Sequence, residues 1–436
     1  MRIRNFLEID FIILFAVICL TAVGILFIYS SGLSSPGTHM ATEYLRQIVW
    51  VLFGLVLALA ISMFNYKRVY DLTIYFYLGT MALLVITFLL ARFAHGSRWL
   101  RIGGFGIQAS EFAKITTILL MAWYLDSRKR NQKAFIRFII CGAIALIPMF
   151  FILLQPDLGT ALVFVPILLG MTYIAGIPLR YILFFSLSII LSGVFLILPL
   201  WQAFIMNNSI PALMGFVNTN FIIAACLTLA LVFAIAALGF LRLRKGYFYW
   251  IAFIAGIFIF SFGFSYAAAR VLMEYQIMRL IVFIDPNVDP LGFGWQIIQS
   301  TTAIGSGGAF GRGFLQGTHS HFHFLPAQST DFIFSILSEE WGFAGGMFVF
   351  ALFLIILLRL IRIMRVTTDS FGSYVVAGLV SMYAFHFIVN VGMTMGIMPI
   401  TGIPLMFVSY GGSAMLSAMI GIGLAFSVYA RRYQQS

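Results

Sequence analysis

Twelve runs of apolar residues, most about as long as a bilayer is thick, divide this chain. They fall at 9–30, 45–64, 71–91, 110–125, 137–154, 158–176, 180–200, 220–241, 248–270, 332–360, 373–396 and 405–429. About 20 apolar residues cross the ~30 Å hydrocarbon core as a helix, which satisfies its own peptide groups where no water can. The fourth to sixth runs are short and close together, so the expected fold is an all-α polytopic integral membrane protein of about 10–12 transmembrane helices. Composition agrees. Hydrophobic residues make up 62% of the chain and charged residues 9%, against roughly a quarter charged in a soluble domain.

The net charge of +12 would suit a nucleic-acid partner if it were concentrated in a patch. It is spread over short loops instead, as the membrane-orientation rule requires. With a cytoplasmic N-terminus and every run crossing, inside segments hold 18 of the 26 Lys and Arg residues, and outside segments and their edges hold 7. Both termini are then cytoplasmic. The basic start and the long first run predict an uncleaved helix rather than a removed signal peptide. Cys19, Cys141 and Cys226 lie inside apolar runs and read as small hydrophobes.

Two outside segments are long enough to carry function. Residues 92–110 hold Arg92, Arg98 and Arg101 on the side the rule disfavours, which points to an anionic ligand outside, phosphate first. Residues 271–331 form a second, larger loop, with Arg279 near its start. The helix after the first loop opens with Ala109 and Ser110, either suited to its cap, then Glu111 and, three residues on, Lys114. Ionisable side chains one turn into a span are functional by default. Asp157, between Pro156 and Gly159, reads as a helix cap.

The stretch "GSGGAFGRGFLQG" over 305–317 lacks the lysine of a phosphate loop. It is expected to bring backbone close to a large ligand. His319, His321 and His323 alternate, but no nearby cysteine or paired acid completes a zinc site. At the head of the tenth run, "FLPAQSTDFIFSILSEEWG" carries Asp331 at the outer interface, with Glu339 about 12 Å deeper. Glu339 or Glu340 must face a polar interior, since charge facing lipid is costly. The residues thus describe an outward cavity with an acid at its mouth and cations opposite. That suits transfer chemistry on a lipid pyrophosphate, and equally a lipid transporter.

"GSRWLRIGGFGIQASEFAK", "QPDLGTALVF", "LPAQSTDFIFSILSEEWGFAGG" and "NVGMTMGIMPITGIPLMFVSYGGSAML" are long, ordered and spread over most of the chain. Together they resemble the SEDS family (shape, elongation, division and sporulation proteins), the elongation branch more than the division branch. The resemblance implies a peptidoglycan glycosyltransferase that polymerises lipid II on the outer face of the bacterial cytoplasmic membrane. It implies Asp331 as the essential acid, and Trp99, Glu111 and Lys114 as the motif near the fourth helix. Ala109 stands where the family has proline, and Ala327 where it often has glutamate.

In that chemistry a sugar hydroxyl attacks the anomeric carbon of a growing chain and displaces undecaprenyl pyrophosphate. Asp331 is the expected base, and Lys114, Arg98 and Arg101 the expected anion cradle, with Trp99, Glu111 and Arg279 beside them. Glu339, Glu340, Asp157 and Ser110 are expected to build a polar interior. A divalent cation, Mg or Mn, would fit the pyrophosphate, but no ligand set is legible. The partners implied are lipid II and a class B penicillin-binding protein. A lipid II flippase and a non-enzymatic scaffold for that transpeptidase stay open. The family core has ten spans, so residues 220–270 are expected to be an inserted helix pair in an otherwise single domain, 1–436.

Overall fold

A computed structural model describes residues 9–34, 38–39, 42–93, 99–102, 105–128, 132–204, 219–321 and 324–433. Among them ten helices are long and apolar enough to cross a membrane. The difference from twelve runs has a local cause. The fourth run forms α4 (Ala109–Ser127), whose charged residues lower its hydropathy. The sixth breaks at Val163 into α6 (Leu158–Leu162) and α7 (Phe164–Ile174).

By packing, the chain resolves into two compact units, residues 1–177 with 299–436 and residues 178–298. The first contains α1 (Phe11–Ser31), α2 (Glu43–Met63), α3 (Tyr66–Phe93), α4, α5 (Ala134–Leu153), α6 and α7. After the intervening segment it resumes with α13 (Thr318–His321), α14 (Ile333–Val366), α15 (Ser370–Thr394) and α16 (Gly412–Ala430). Two short antiparallel ribbons, Leu33–Ser34 with Thr38–His39 and Leu100–Ile102 with Phe105–Ile107, are the only strands among the described residues.

Helices α15 and α16 form the interior of this unit, with 67% and 89% of their spanning windows buried. Gly, Ser and Ala along α16 let neighbouring helices approach closely, which is how helices associate where lipid is as apolar as leucine. Helix α1 lies against α14 and is stapled at both ends. Arg359 makes an ion pair with Asp10, 2.6 Å apart, and Ser30 donates to Glu340. About 20 residues separate the staples on each helix, roughly 30 Å at 1.5 Å per residue, which is the thickness of the hydrocarbon core.

The second unit contains α8 (Leu179–Phe204), α9 (Thr219–Leu243), α10 (Gly246–Val271) and α11 (Glu274–Ile284). α9 and α10 are the expected helix pair, joined through Arg244 and Lys245. Aromatic contacts bind α10 to α8: Phe195 stacks on Phe262 at 4.4 Å, and Phe184 meets Phe253 edge-on at 5.5 Å. Only 6% of the α9 window is buried. Residues 271–331 are largely ordered into α11, a 3-10 turn at Pro286–Val288, α12 (Phe293–Ser306) and α13, and the unit boundary falls inside α12.

Candidate active site

Asp331 sits on a tight turn rather than on a helix. The carbonyl of Ala327 accepts from the amides of Thr330, Asp331 and Phe332, at 3.3, 3.1 and 3.3 Å. Ala327 pays for that convergence with a φ of 51°, a region a side chain rarely adopts. The helix cap is Phe332, so Asp331 stands just before α14.

The backbone around Asp331 is gripped by residues far away in sequence. Tyr410 N donates to Ser329 O at 2.8 Å, and Ser409 Oγ donates to Thr330 O. Asn390 Nδ2 donates both to Asp331 O, at 2.9 Å, and to Ile403 O, at 2.7 Å. Asp331 itself is half-buried. Gly402, with φ +70°, lies under it, and a Cβ there would come within 3.4 Å of Asp331 Oδ2.

These contacts depend on residues 395–411 leaving the helix. The hydropathy run starts the last span at 405, but α16 begins only at Gly412. Between α15 and α16 the chain turns back as an irregular segment. In a membrane protein such backbone is tolerated only where protein or a polar cavity satisfies it. Here Asn390, Ser409 and their neighbours do so.

Lys114 is fully buried. Its Nζ is 2.9 Å from Glu111 Oε2 and 3.1 Å from His386 Nε2, while His386 Nδ1 is 3.2 Å from Pro404 O. The ion pair is thus built into the wall between α4, α15 and the 401–411 segment. The cap of α4 is Gln108 rather than Ala109 or Ser110, and it makes no capping bond. Its amide donates to Asp157 Oδ2 at 2.8 Å. Asp157 caps α6, accepting from Thr160 N at 3.2 Å. One residue into α6, a Cβ on Gly159 would lie 2.3 Å from Thr401 O, so only glycine allows this approach to the same segment.

Glu339 and Glu340 are both fully buried. Glu339 Oε1 accepts from Thr318 N, Thr318 Oγ1 and His319 N, at 2.8, 3.2 and 2.9 Å. Glu340 accepts from Leu315 N at 3.0 Å and from Ser30 Oγ. Helix α14 kinks at Gly342 (φ 64°, ψ −160°), and the peptide groups released there pair with the glycine-rich loop. Phe343 N donates to Gly308 O, Ala344 N to Ala309 O, Arg312 N to Glu339 O and Gly313 N to Glu340 O. A Cβ on Gly311 would lie 2.0 Å from Glu340 O. The close backbone approach expected of this loop is therefore made to α14 of its own chain.

The remaining expected site residues are placed as follows. Trp99 lies against Gly106 of the 100–107 ribbon, whose Cβ would meet it at 3.3 Å. Arg92 is exposed at the end of α3. Arg98 and the side chain of Arg101 lie outside the described residues. Arg279 belongs to the second unit, 5.5 Å over the Tyr275 ring. His319 Nδ1 is 3.1 Å from Gln299 Oε1, whereas His323 and the side chain of His321 lie outside the described residues. Among the described residues no group of three or more His, Cys, Asp or Glu side chains is placed to hold a metal.

Sequence reasoning missed His386, Asn390, Gln328, Gly402 and Ser409. Two left a signal: His386 and Asn390 lie four residues apart in an apolar span, where polar side chains are rare and face the interior. Gln328 is buried, with neither end of its amide hydrogen-bonded among the described residues.

The profile of the family described as cell cycle protein, named for FtsW, RodA and SpoVE, matches residues 11–220 and 201–434. The peptidoglycan glycosyltransferase RodA of Treponema pallidum is 48% identical over 99% of this chain and 100% of its own length. The peptidoglycan glycosyltransferase MrdB of Escherichia coli K12 is 29% identical, covering 89% of this chain and 85% of that protein. A chain from the structure described as structural coordination of polymerization and crosslinking by a peptidoglycan synthase complex matches with a TM-score of 0.66 at 25% identity. That match covers 98% of this chain and 99% of the other. The crystal structure of the rod shape determining protein RodA of Thermus thermophilus shares the fold, with a TM-score of 0.61 at 22% identity over 99% of this chain and 100% of that one.

Proposed function

The chain belongs to the FtsW, RodA and SpoVE family of cell cycle proteins, and on that premise we propose how its site works as a peptidoglycan glycosyltransferase. It is a multi-pass membrane enzyme. The substrate is lipid II, taken at the outer face of the cytoplasmic membrane during cell elongation. Asp331 is the general base. It removes the proton from the 4-hydroxyl of one lipid-linked disaccharide as that oxygen attacks the anomeric carbon of the growing chain. The anomeric bond to undecaprenyl pyrophosphate breaks on the opposite face, so the configuration inverts.

The leaving pyrophosphate gathers negative charge and needs positive charge where that happens. Arg98 and Arg101, with Trp99 beside them, take that part. Lys114, paired with Glu111, contributes from inside the wall. Gln328 offers its buried amide to the sugar. Both termini are cytoplasmic, and a class B penicillin-binding protein crosslinks the product.

One observation carries the assignment of the base. The backbone over Ser329, Thr330 and Asp331 is clamped by Tyr410, Ser409 and Asn390 while Asp331 stays half-buried. A base must be within hydrogen-bond reach of its proton and held there. The test is lipid II polymerisation by the purified protein, wild type against Asp331→Asn. Glycan made by the wild type and lost in the variant supports the reading. Lipid movement in liposomes with no glycan made would identify a flippase instead, and full activity of Asp331→Asn would remove the base.

A further inference from the structure

His386 lies one turn before Asn390 on α15, and the two side chains reach consecutive carbonyls of the irregular segment. Asn390 takes Ile403 O and His386 takes Pro404 O. The protonation state of His386 follows from its neighbours. A lysine ammonium has only protons to give, so His386 Nε2, 3.1 Å from Lys114 Nζ, accepts. The ring proton therefore sits on Nδ1 and points at Pro404 O, 3.2 Å away. Glu111 Oε2, 2.9 Å from Lys114 Nζ, balances its charge as an ion pair. The order of contacts is Glu111, Lys114, His386, Pro404, and the side chains of Glu111, Lys114 and His386 are buried.

The segment held this way is the one on which Asp331 rests. Gly402 lies under Asp331 Oδ2, and Asn390 ties Ile403 O to Asp331 O through one amide nitrogen. We propose that His386 is a positioning residue for Asp331: clamped between Lys114 and the carbonyl of Pro404, it holds residues 402–405 where the carboxylate meets the substrate hydroxyl. This rests on Asp331 being the base. It gives Lys114 a second task, since its bond to Nε2 selects the ring tautomer that can donate to Pro404.

Three replacements separate the two links. His386→Asn puts an amide nitrogen near the place of Nδ1 and keeps the bond to Pro404. His386→Gln reaches Lys114 but not Pro404, and His386→Phe makes neither bond. Each purified variant is assayed for kcat and KM on lipid II and for its melting temperature. A displacement of about 1 Å at a reacting group costs on the order of 10²-fold in rate. The expected result is a kcat lowered by about that factor in the Gln and Phe variants with KM little changed, and the Asn variant within a few-fold of wild type.

If His386→Phe does not fold, the Asn and Gln pair decides. Equal activity of Asn and Gln, Gln better than Asn, or losses that follow the yield of folded protein would each overturn the proposal. An active Asp331→Asn would instead bring down the reading beneath it, so the two failures are told apart.

Discussion

Three carboxylates stand within ten residues at the head of α14, and the protein handles them in two ways. Glu339 and Glu340 are fully buried, and their oxygens are taken by amides and hydroxyls of residues 315–319 and by Ser30. They clasp residues 315–319 to a kinked helix. At Asp331 the clamp takes the backbone carbonyl, through Asn390, and the residue is half-buried. An acid that fastens protein to protein has its charge spread over donors of its own chain. An acid that does chemistry must be held by something other than the oxygens that react. With Asp331 as the proposed base, the contrast separates them by role although all three lie on one short stretch.

The largest expected effect is on the reacting acid. Asp331→Asn keeps the size and the backbone clamp, so it should insert normally and lose about 10²–10⁴-fold in polymerisation rate, the usual contribution of a general base. Steady-state glycan synthesis checks it. A rate within a few-fold of wild type would put Asp331 in the same class as the two glutamates.

Lys114→Ala leaves Glu111 buried without its cation. Breaking such a pair costs about 3–5 kcal/mol, read as a lower melting temperature in detergent. Removing Glu111 as well, in Lys114→Met with Glu111→Leu, should recover most of that stability without recovering activity. If the double variant is fully active, the pair only fills space and the Asp331 side of the comparison loses its charged support.

Glu339→Gln tests the clasp. It keeps one acceptor but loses the charge that three donors share, for a cost of about 1–3 kcal/mol. Thermal stability should fall while the residual rate of folded enzyme stays much nearer wild type than that of Asp331→Asn. A catalytic loss as deep as that of Asp331→Asn, with stability unchanged, would break the distinction. The smallest effect is expected on α9. Leu231 is 60% exposed in a helix of which little is buried. Leu231→Ala should change stability by no more than about 0.5 kcal/mol, which sets the baseline for the other measurements.

Much of this was legible in advance because it depends on length and period. The helix pair at 219–243 and 246–271 shows as two long apolar runs around a basic turn. Asp157 as a cap could be read from its neighbours Pro156 and Gly159. The ion pair of Glu111 with Lys114 follows from their spacing of three on one helix. Other features were read wrongly for equally local reasons. The start of α16 was placed at 405 because Leu405, Met406, Phe407 and Val408 are as apolar as any helix. The glycines of 305–313 signal close backbone approach but not what is approached.

The sequence by itself determined the class of protein, the helices and the short stretch bearing the acids, since these follow from the bilayer's thickness and the cost of burying charge. Only the tertiary structure decided which acid is clasped and which is clamped. It also decided that residues 395–411 fold back as the floor beneath Asp331. The physical reason is that the peptide groups of an unwound segment must find partners inside the protein. Here those partners are Asn390, His386 and Ser409, with Asp331 brought up from about 60 residues before Asn390. Hydropathy and helical period describe each run against the lipid, and carry no record of which distant side chain will meet a given carbonyl.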